Sequence, residues 1–263
     1  MILYKYYDFK AGEKALKSRK LGFRKPSEFN DPFELTFLGN ALGVESEIGV
    51  LHGKLKELAD SVVILSLTRT YDNPLMWSHY GESHRGFVIG YDVTGPFFED
   101  KERNIISVDE GDVVYTNTKS QYILSDSFLT SLHDVSVRAC GAPNLREPEF
   151  RSILRKVFLT KQASWVYEEE VRLVRTAIDF FRESQEEYFD ELSGYTLLEK
   201  PKGLRLMHFT AGIKEVYLGA KNPWLEFSEE EQAKQLKGLR RQACVIKRME
   251  VDMHSWKLKA GYI

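Results

Sequence analysis

Apolar residues in this chain come in short runs whose period switches repeatedly between that of a strand and that of a helix. Residues 2–7 read as a strand, 10–19 as a helix and 21–24 as a second short strand. Residues 25–34, KPSEFNDPFE, form a turn-rich loop with two prolines. Ile48, Leu51, Leu55 and Leu58 give 45–59 a helical stripe. SVVILSLT, 61–68, is a continuous apolar run of the buried-strand type. Asp72-Asn73-Pro74 supplies a capping side chain and a first-turn proline. A helix is therefore expected from there to about Ser83, released by Gly86 into a strand at 87–93. The pattern next predicts an extended segment at 104–115, helices near 119–132 and 146–160, and a strand over 165–174. The polar, acidic stretch 179–202 reads as a loop or excursion. Strands follow at 204–209 and 215–218, then a helix at 228–241 whose Ser228 and Glu231 form a capping box. Strands at 244–251 and 256–263 close the sequence.

Helices interrupt the strands irregularly, which favours α+β over a doubly wound sheet. No Pro/Gly/Ser-rich linker marks a boundary, so 1–263 is read as one domain. An apolar fraction of 43% is ample for a packed core. The charge, 37 basic against 39 acidic residues, argues against a strong nonspecific grip on nucleic acid. Cys140 and Cys244 are far apart and give neither a disulfide framework nor a zinc site. No apolar run approaches the roughly 20 residues needed to cross a bilayer, and no secretory leader is visible, so a cytoplasmic setting is expected.

The segment WVYEEEVRLV at 165–174 carries the most chemistry. Read as a strand, it puts Glu168, Glu170 and Arg172 on one face and Glu169 on the other. The same residues suit an exposed salt-bridge ladder, or the floor of a site. In the helix after Asn73, Trp77, Tyr80 and His84 fall near one side, as an aromatic core stripe or a pocket wall. His79 and His84 are five apart, the wrong spacing for two metal ligands on one helical face. Ser66 and Thr68 end a buried strand with their hydroxyls on one face. Tyr4 and Tyr6 share a face of the first strand, with Lys5 opposite. No phosphate-binding loop, dinucleotide glycine fingerprint or nucleophile elbow is present.

Taken in order, KYY, FNDPFE, MWSHYGESHRG and WVYEEEVR resemble the motif set of an uncharacterised bacterial family, over Tyr4 to Arg172. That family in turn resembles the ADP-ribosyltransferase superfamily. The resemblance implies a split, two-sheet α+β domain with peripheral helices, and NAD as substrate. It assigns Tyr4-Lys5-Tyr6 to the first-strand motif, though the usual His or Arg is missing there. Ser66, Thr68, Trp77 and Tyr80 fall in the middle motif, and Glu168 and Glu170 in the catalytic one. Glu170 would hold the ribose 2′-hydroxyl and face the developing cation, and Glu168 would orient or deprotonate the acceptor. Arg172 would offset their repulsion or grip a phosphate, Trp77 or Tyr80 would stack on nicotinamide, and His84 joins the binding set. The acceptor is left open among protein, nucleic acid and small molecule, and a role in bacterial defence or as a toxin is implied. Two rivals stand beside this reading. One is a metal-dependent nuclease or phosphodiesterase with Glu168, Glu170 and Asp31 as ligands, weakened because no lysine accompanies the acids on their strand face. The other is a catalytically silent binding module on the same fold.

Overall fold

A computed structural model describes residues 1–36, 41–42, 45–100, 104–119, 122–123, 130, 148–177, 204–208, 212–240 and 244–263. The strands are β1 (Ile2–Tyr7), β2 (Lys20–Arg24), β3 (Ala41–Leu42), β4 (Val62–Thr68), β5 (Phe87–Asp92), β6 (Asn104–Ile106) and β7 (Val114–Thr116). They continue as β8 (Tyr122–Ile123), β9 (Thr160–Gln162), β10 (Glu170–Thr176), β11 (Leu204–His208), β12 (Ile213–Leu218), β13 (Val245–Val251) and β14 (Leu258–Tyr262). The helices are α1 (Phe9–Ser18), α2 (Glu45–Ser61), α3 (Pro74–His79), α4 (Pro96–Glu99), α5 (Pro148–Phe158) and α6 (Glu229–Arg240). The expected capping box of α6 forms, with Ser228 and Glu231 bonding reciprocally.

Among the described residues, ten strands form one mixed sheet in which β12 and β13 run parallel and the other pairs antiparallel. Two short parallel ladders, β3–β8 and β7–β9, lie apart from it. The molecule is α+β.

One detail of the sheet positions everything that follows. β10 pairs with the whole length of β4, from Glu170 beside Thr68 to Thr176 beside Val62. β1 and β2 must share the opposite edge: Tyr4 pairs with Thr68 and Arg24 with Ile64. Between those contacts the sheet forks. Ser66, at the fork, gives its carbonyl to the Lys5 Nζ at 3.1 Å instead of to a strand N–H.

Alternation sorts the side chains of the central strands. Val63, Leu65, Leu67, Val171 and Leu173 face the main core with Leu3, Phe87 and Ile89. On the reverse face, Val62, Ile64 and Val174 join a second cluster under α2 and α5, while Tyr6, Val88 and Tyr217 join a third with Met76 and Trp77. Ser66, Thr68, Glu170 and Arg172 share that reverse face, between the two apolar clusters.

Four expectations from sequence need correction. The strand expected at 165–174 starts only at Glu170: Ala163–Glu168 is a 3-10 helix, and Glu169 is left-handed with φ 43°. Gln162 starts that turn by accepting from Ser164 N, so local capping beats the β-propensity of Trp165, Val166 and Tyr167. The helix after Asn73 ends at His79, not near Ser83. Glu82, Ser83 and His84 all have positive φ, and the chain folds back so that His84 N donates to Trp77 O. The extended segment at 104–115 is two short strands, β6 and β7, parted by a 3-10 turn at Val108–Glu110. The helix expected near 119–132 falls largely outside the described residues, and Tyr122–Ile123 within it is strand β8. The excursion at 179–202 and Cys140 also lie outside them. No helix is long and apolar enough to cross a membrane among the described residues.

Candidate functional site

Glu168 and Glu170 do come together, through a helical turn rather than through strand alternation. Glu168 ends the 3-10 helix, Glu169 turns left-handed, and Glu170 opens β10. The left-handed residue reverses the chain, so the acids on either side of it point inward while Glu169 is exposed. Lys161 of β9 lies between them, its Nζ 2.6 Å from Glu168 Oε2 and 3.2 Å from Glu170 Oε2. The lysine absent from the acids' own strand is thus supplied by a neighbouring one. Its ammonium also sits 5.0 Å from the Trp165 ring.

Arg172 anchors the other side. Its guanidinium bonds both oxygens of Glu170, at 2.8 and 3.0 Å, and both oxygens of Glu34, at 2.6 and 3.0 Å. A fifth donor bond, 2.7 Å, goes to Phe158 O. A planar five-donor fork is the only side chain able to serve two carboxylates this way. All of these groups are buried, Arg172 completely, which rules out the exposed-ladder reading. Gly111 lets the neighbouring segment approach: Arg172 N donates to Gly111 O, and a Cβ there would stand 2.0 Å from Arg172 O.

Tyrosines close the cluster. Tyr80 donates to Glu168 Oε1 at 2.6 Å, and Tyr115 Oη accepts from Glu170 N at 2.9 Å. Thr68 Oγ1 donates to Glu168 O at 2.5 Å, tying the turn to β4.

The electrostatics follow from counting charges: Glu34, Glu168 and Glu170 face Lys161 and Arg172. Lys5, whose ammonium also acts on Glu170, makes the balance three carboxylates against three cations in a dry site. Burial pushes Glu170 up, but Arg172 and Lys161 outweigh it and hold the carboxyl at about 2. At Glu168 burial wins over Lys161, and its value is raised. Burial pulls Lys161 and Arg172 down, yet the acids around them raise both. Of the two acids, Glu168 is therefore the more readily protonated. Burial and the adjacent Glu168 keep the Tyr80 hydroxyl protonated.

The other sequence candidates divide. Lys5 caps the fork through Ser66, and burial lowers its ammonium to about 8. Tyr4 stands in the same cross-strand row as Glu170 and Thr68, but its hydroxyl donates to Glu215 Oε2 at 2.9 Å, reaching over Gly90. Tyr6 packs edge-on against Trp77 at 5.4 Å in the third apolar cluster. Trp77 itself is fully buried, with Nε1 donating to Tyr71 O, so it is a core residue and not a wall for a ligand. The early end of α3 takes His84 to the Trp77 side, 6.3 Å ring to ring, away from the acids. Of that aromatic trio only Tyr80 reaches the site. Asp31 is buried and its Oδ1 accepts from Phe33 N, which fixes the FNDPFE turn and delivers Glu34. Among the described residues no group of three or more His, Cys, Asp or Glu side chains is placed to hold a metal ion.

Sequence reasoning missed Tyr115 and Lys161 as site residues. Glu34 was marked only as part of a candidate rim, the rigid FNDPFE turn. Tyr115 and Lys161 sit on three-residue strands too short to show a period.

Fold and site together define an α+β protein with a buried carboxylate–cation cluster on one face of a forked sheet. The segment 76–173 is similar to a family described as "Protein of unknown function (DUF2971)". That segment contains Tyr80, Tyr115, Lys161, Glu168, Glu170 and Arg172, and leaves Glu34, Ser66 and Tyr4 outside. No curated protein and no solved structure matches the chain.

Proposed function

We propose that this chain is an ADP-ribosyltransferase-like enzyme that uses NAD as its substrate. The supporting observation is the pair of buried carboxylates, Glu168 and Glu170, brought to one place and held there by Lys161, Arg172 and Tyr80. Breaking the bond between nicotinamide nitrogen and ribose C1′ sends the electron pair to the departing nicotinamide and leaves positive charge on the ribose. The positive charge sits on the nicotinamide ring beforehand and moves to the ribose as the bond breaks, so a carboxylate fixed beside the ribose favours the second state over the first. Glu170, held ionised by Arg172 and Lys161, is the group to face it. For a ribose hydroxyl to reach Glu170, Lys161 gives up its 3.2 Å contact to that carboxylate and keeps the shorter one to Glu168. Glu168, with its raised value, takes the proton of the acceptor as the acceptor atom bonds to C1′. Tyr80, partly exposed and tied to Glu168, is the ring available to stack on nicotinamide. The fork of β4 between β1 and β2 suits the split sheet of that superfamily. The acceptor's class, and a place in bacterial defence or as a toxin, rest on the resemblance alone.

The metal-dependent reading is disfavoured because Lys161 and Arg172 already occupy the carboxylate oxygens a cation would need. The silent binding module is favoured by one observation, the complete burial and pairing of Arg172. Incubation with NAD separates the two that remain. Nicotinamide release by the wild type, abolished in Glu170→Gln while NAD still binds, supports the enzyme. Binding without release favours the module. A protein that neither binds nor turns over NAD sinks the proposal.

A further inference from the structure

A second feature lies behind the acid site. β7 and β9 pair in parallel, with Tyr115 beside Lys161. These two turn toward the acids, Tyr115 through the Glu170 N–H and Lys161 through both carboxylates. Alternation therefore sends their neighbours Val114, Thr116 and Thr160 to the opposite face. There a cavity of about 290 Å³ opens, bounded by that face and by the last turn of α5. The two-stranded ladder is thus a wall with a different site on each side.

The chemistry of the two sides differs. Both charged residues lining the cavity, Arg155 and Lys156, are cations, whereas on the other side carboxylates and cations are paired. Three hydroxyls accompany the cations, from Thr116, Thr118 and Thr160. Two of them are brought together by the turn after β7: Thr118 N donates to Thr116 Oγ1 at 3.1 Å, and the hydroxyl oxygens lie 3.3 Å apart. Val114, 59% exposed although it is a strand valine, gives one wall an apolar surface that a bound body would cover.

We infer that the outer face of the β7–β9 ladder is a binding site for a small phosphomonoester. A guanidinium fork and an ammonium neutralise a phosphoryl group. Thr116 Oγ1 already donates to Thr118 O at 3.1 Å, so the hydroxyls of Thr118 and Thr160 are the donors for its remaining oxygens. The volume stands at the low end of ligand cavities, roughly 300 Å³ and upward. It suits a phosphoryl group on a pentose-sized body and is too small for a dinucleotide. This site does not depend on the NAD reading, since no residue of the acid cluster lines it.

The test is titration calorimetry of the full chain with ribose 5-phosphate, inorganic phosphate and ribose. Saturable binding of ribose 5-phosphate is expected, with ribose at least tenfold weaker. Arg155→Gln should weaken it about tenfold, as loss of one charge-assisted contact does, and Arg155→Gln with Lys156→Gln should abolish it. Both residues are exposed on α5, so the fold should hold, which an unchanged melting temperature checks. Glu170→Gln should bind as the wild type does. Inorganic phosphate alone binding and competing would support the phosphoryl seat. No saturable binding of either phosphate, equal affinity for ribose, or undiminished binding by the double variant overturns the inference.

Discussion

Replacing Arg172 with methionine strands two buried acids. The variant loses two bonds to Glu170, two to Glu34 and one to Phe158 O, while methionine keeps most of the volume. Removing one partner of a buried ion pair costs about 3–5 kcal/mol. A second estimate comes from Glu170, whose carboxyl stands at about 2 against an ordinary 4.5. That gap, set by Arg172 and Lys161 together, is worth roughly 3 kcal/mol and bounds the part that Arg172 supplies. The two figures agree, and either is a large share of the ~5–15 kcal/mol that holds a domain folded. The sign with pH is fixed by the lowered value. Glu170's contribution is present above pH ~4.5 and is lost as pH falls toward 2. In the variant the stranded acids are relieved by protonation over the same fall. The stability gap between wild type and Arg172→Met should thus be about 4 kcal/mol at pH 7 and narrow steadily toward pH 3. Urea unfolding followed by tryptophan fluorescence at several pH values measures it. A gap below about 1 kcal/mol at pH 7, the scale of a surface pair, would refute the reasoning, and so would a gap independent of pH.

Gly111→Ala should destabilise by about 3 kcal/mol or more, because its Cβ would meet the Arg172 backbone at 2.0 Å; a melting curve checks it. Glu169→Gln should change stability and any NAD turnover little, since the side chain is exposed, whereas Glu169→Val should cost about 1–2 kcal/mol for a branched residue at φ 43°. Loss of activity in Glu169→Gln would contradict the inward assignment of its two neighbours. Glu168 has a raised value, so its protonated form fits the fold better, and that stability is present at low pH and lost as pH rises above the ordinary 4.5. Glu168→Gln should therefore lack the wild type's decline on that side, read from unfolding midpoints at pH 4 and pH 8.

Much of the fold was legible because most of its strands are short apolar runs bounded by turn residues. β1, β4, β5, β12 and β13 fall within a residue or two of where periodicity put them. The failures share a cause: local hydrogen bonding outvoted propensity. At Trp165–Glu168 a glutamine cap and a left-handed residue replaced the expected strand. After His79 three left-handed residues replaced the expected last helical turn, and that folded His84 back onto Trp77. Glu168 and Glu170 were picked out correctly as neighbours, but by an alternation that does not operate there. Lys161 and Tyr115 were illegible because their strands are three residues long and their ladder is parallel, formed by segments 46 residues apart.

The ion cluster also has an order of assembly written into its sequence separations. Lys161, Glu168, Glu170 and Arg172 lie within twelve positions and carry two charges of each sign. That local group is electrically neutral and can leave water as a unit. Glu34 is 138 positions away from Arg172. Closing so long a loop is slow. The FNDPFE turn would then dock late in folding onto a site already half built. Glu34→Gln should on that account speed unfolding and leave the refolding rate nearly unchanged, and a slowed refolding limb in stopped-flow experiments would show that the loop docks early instead.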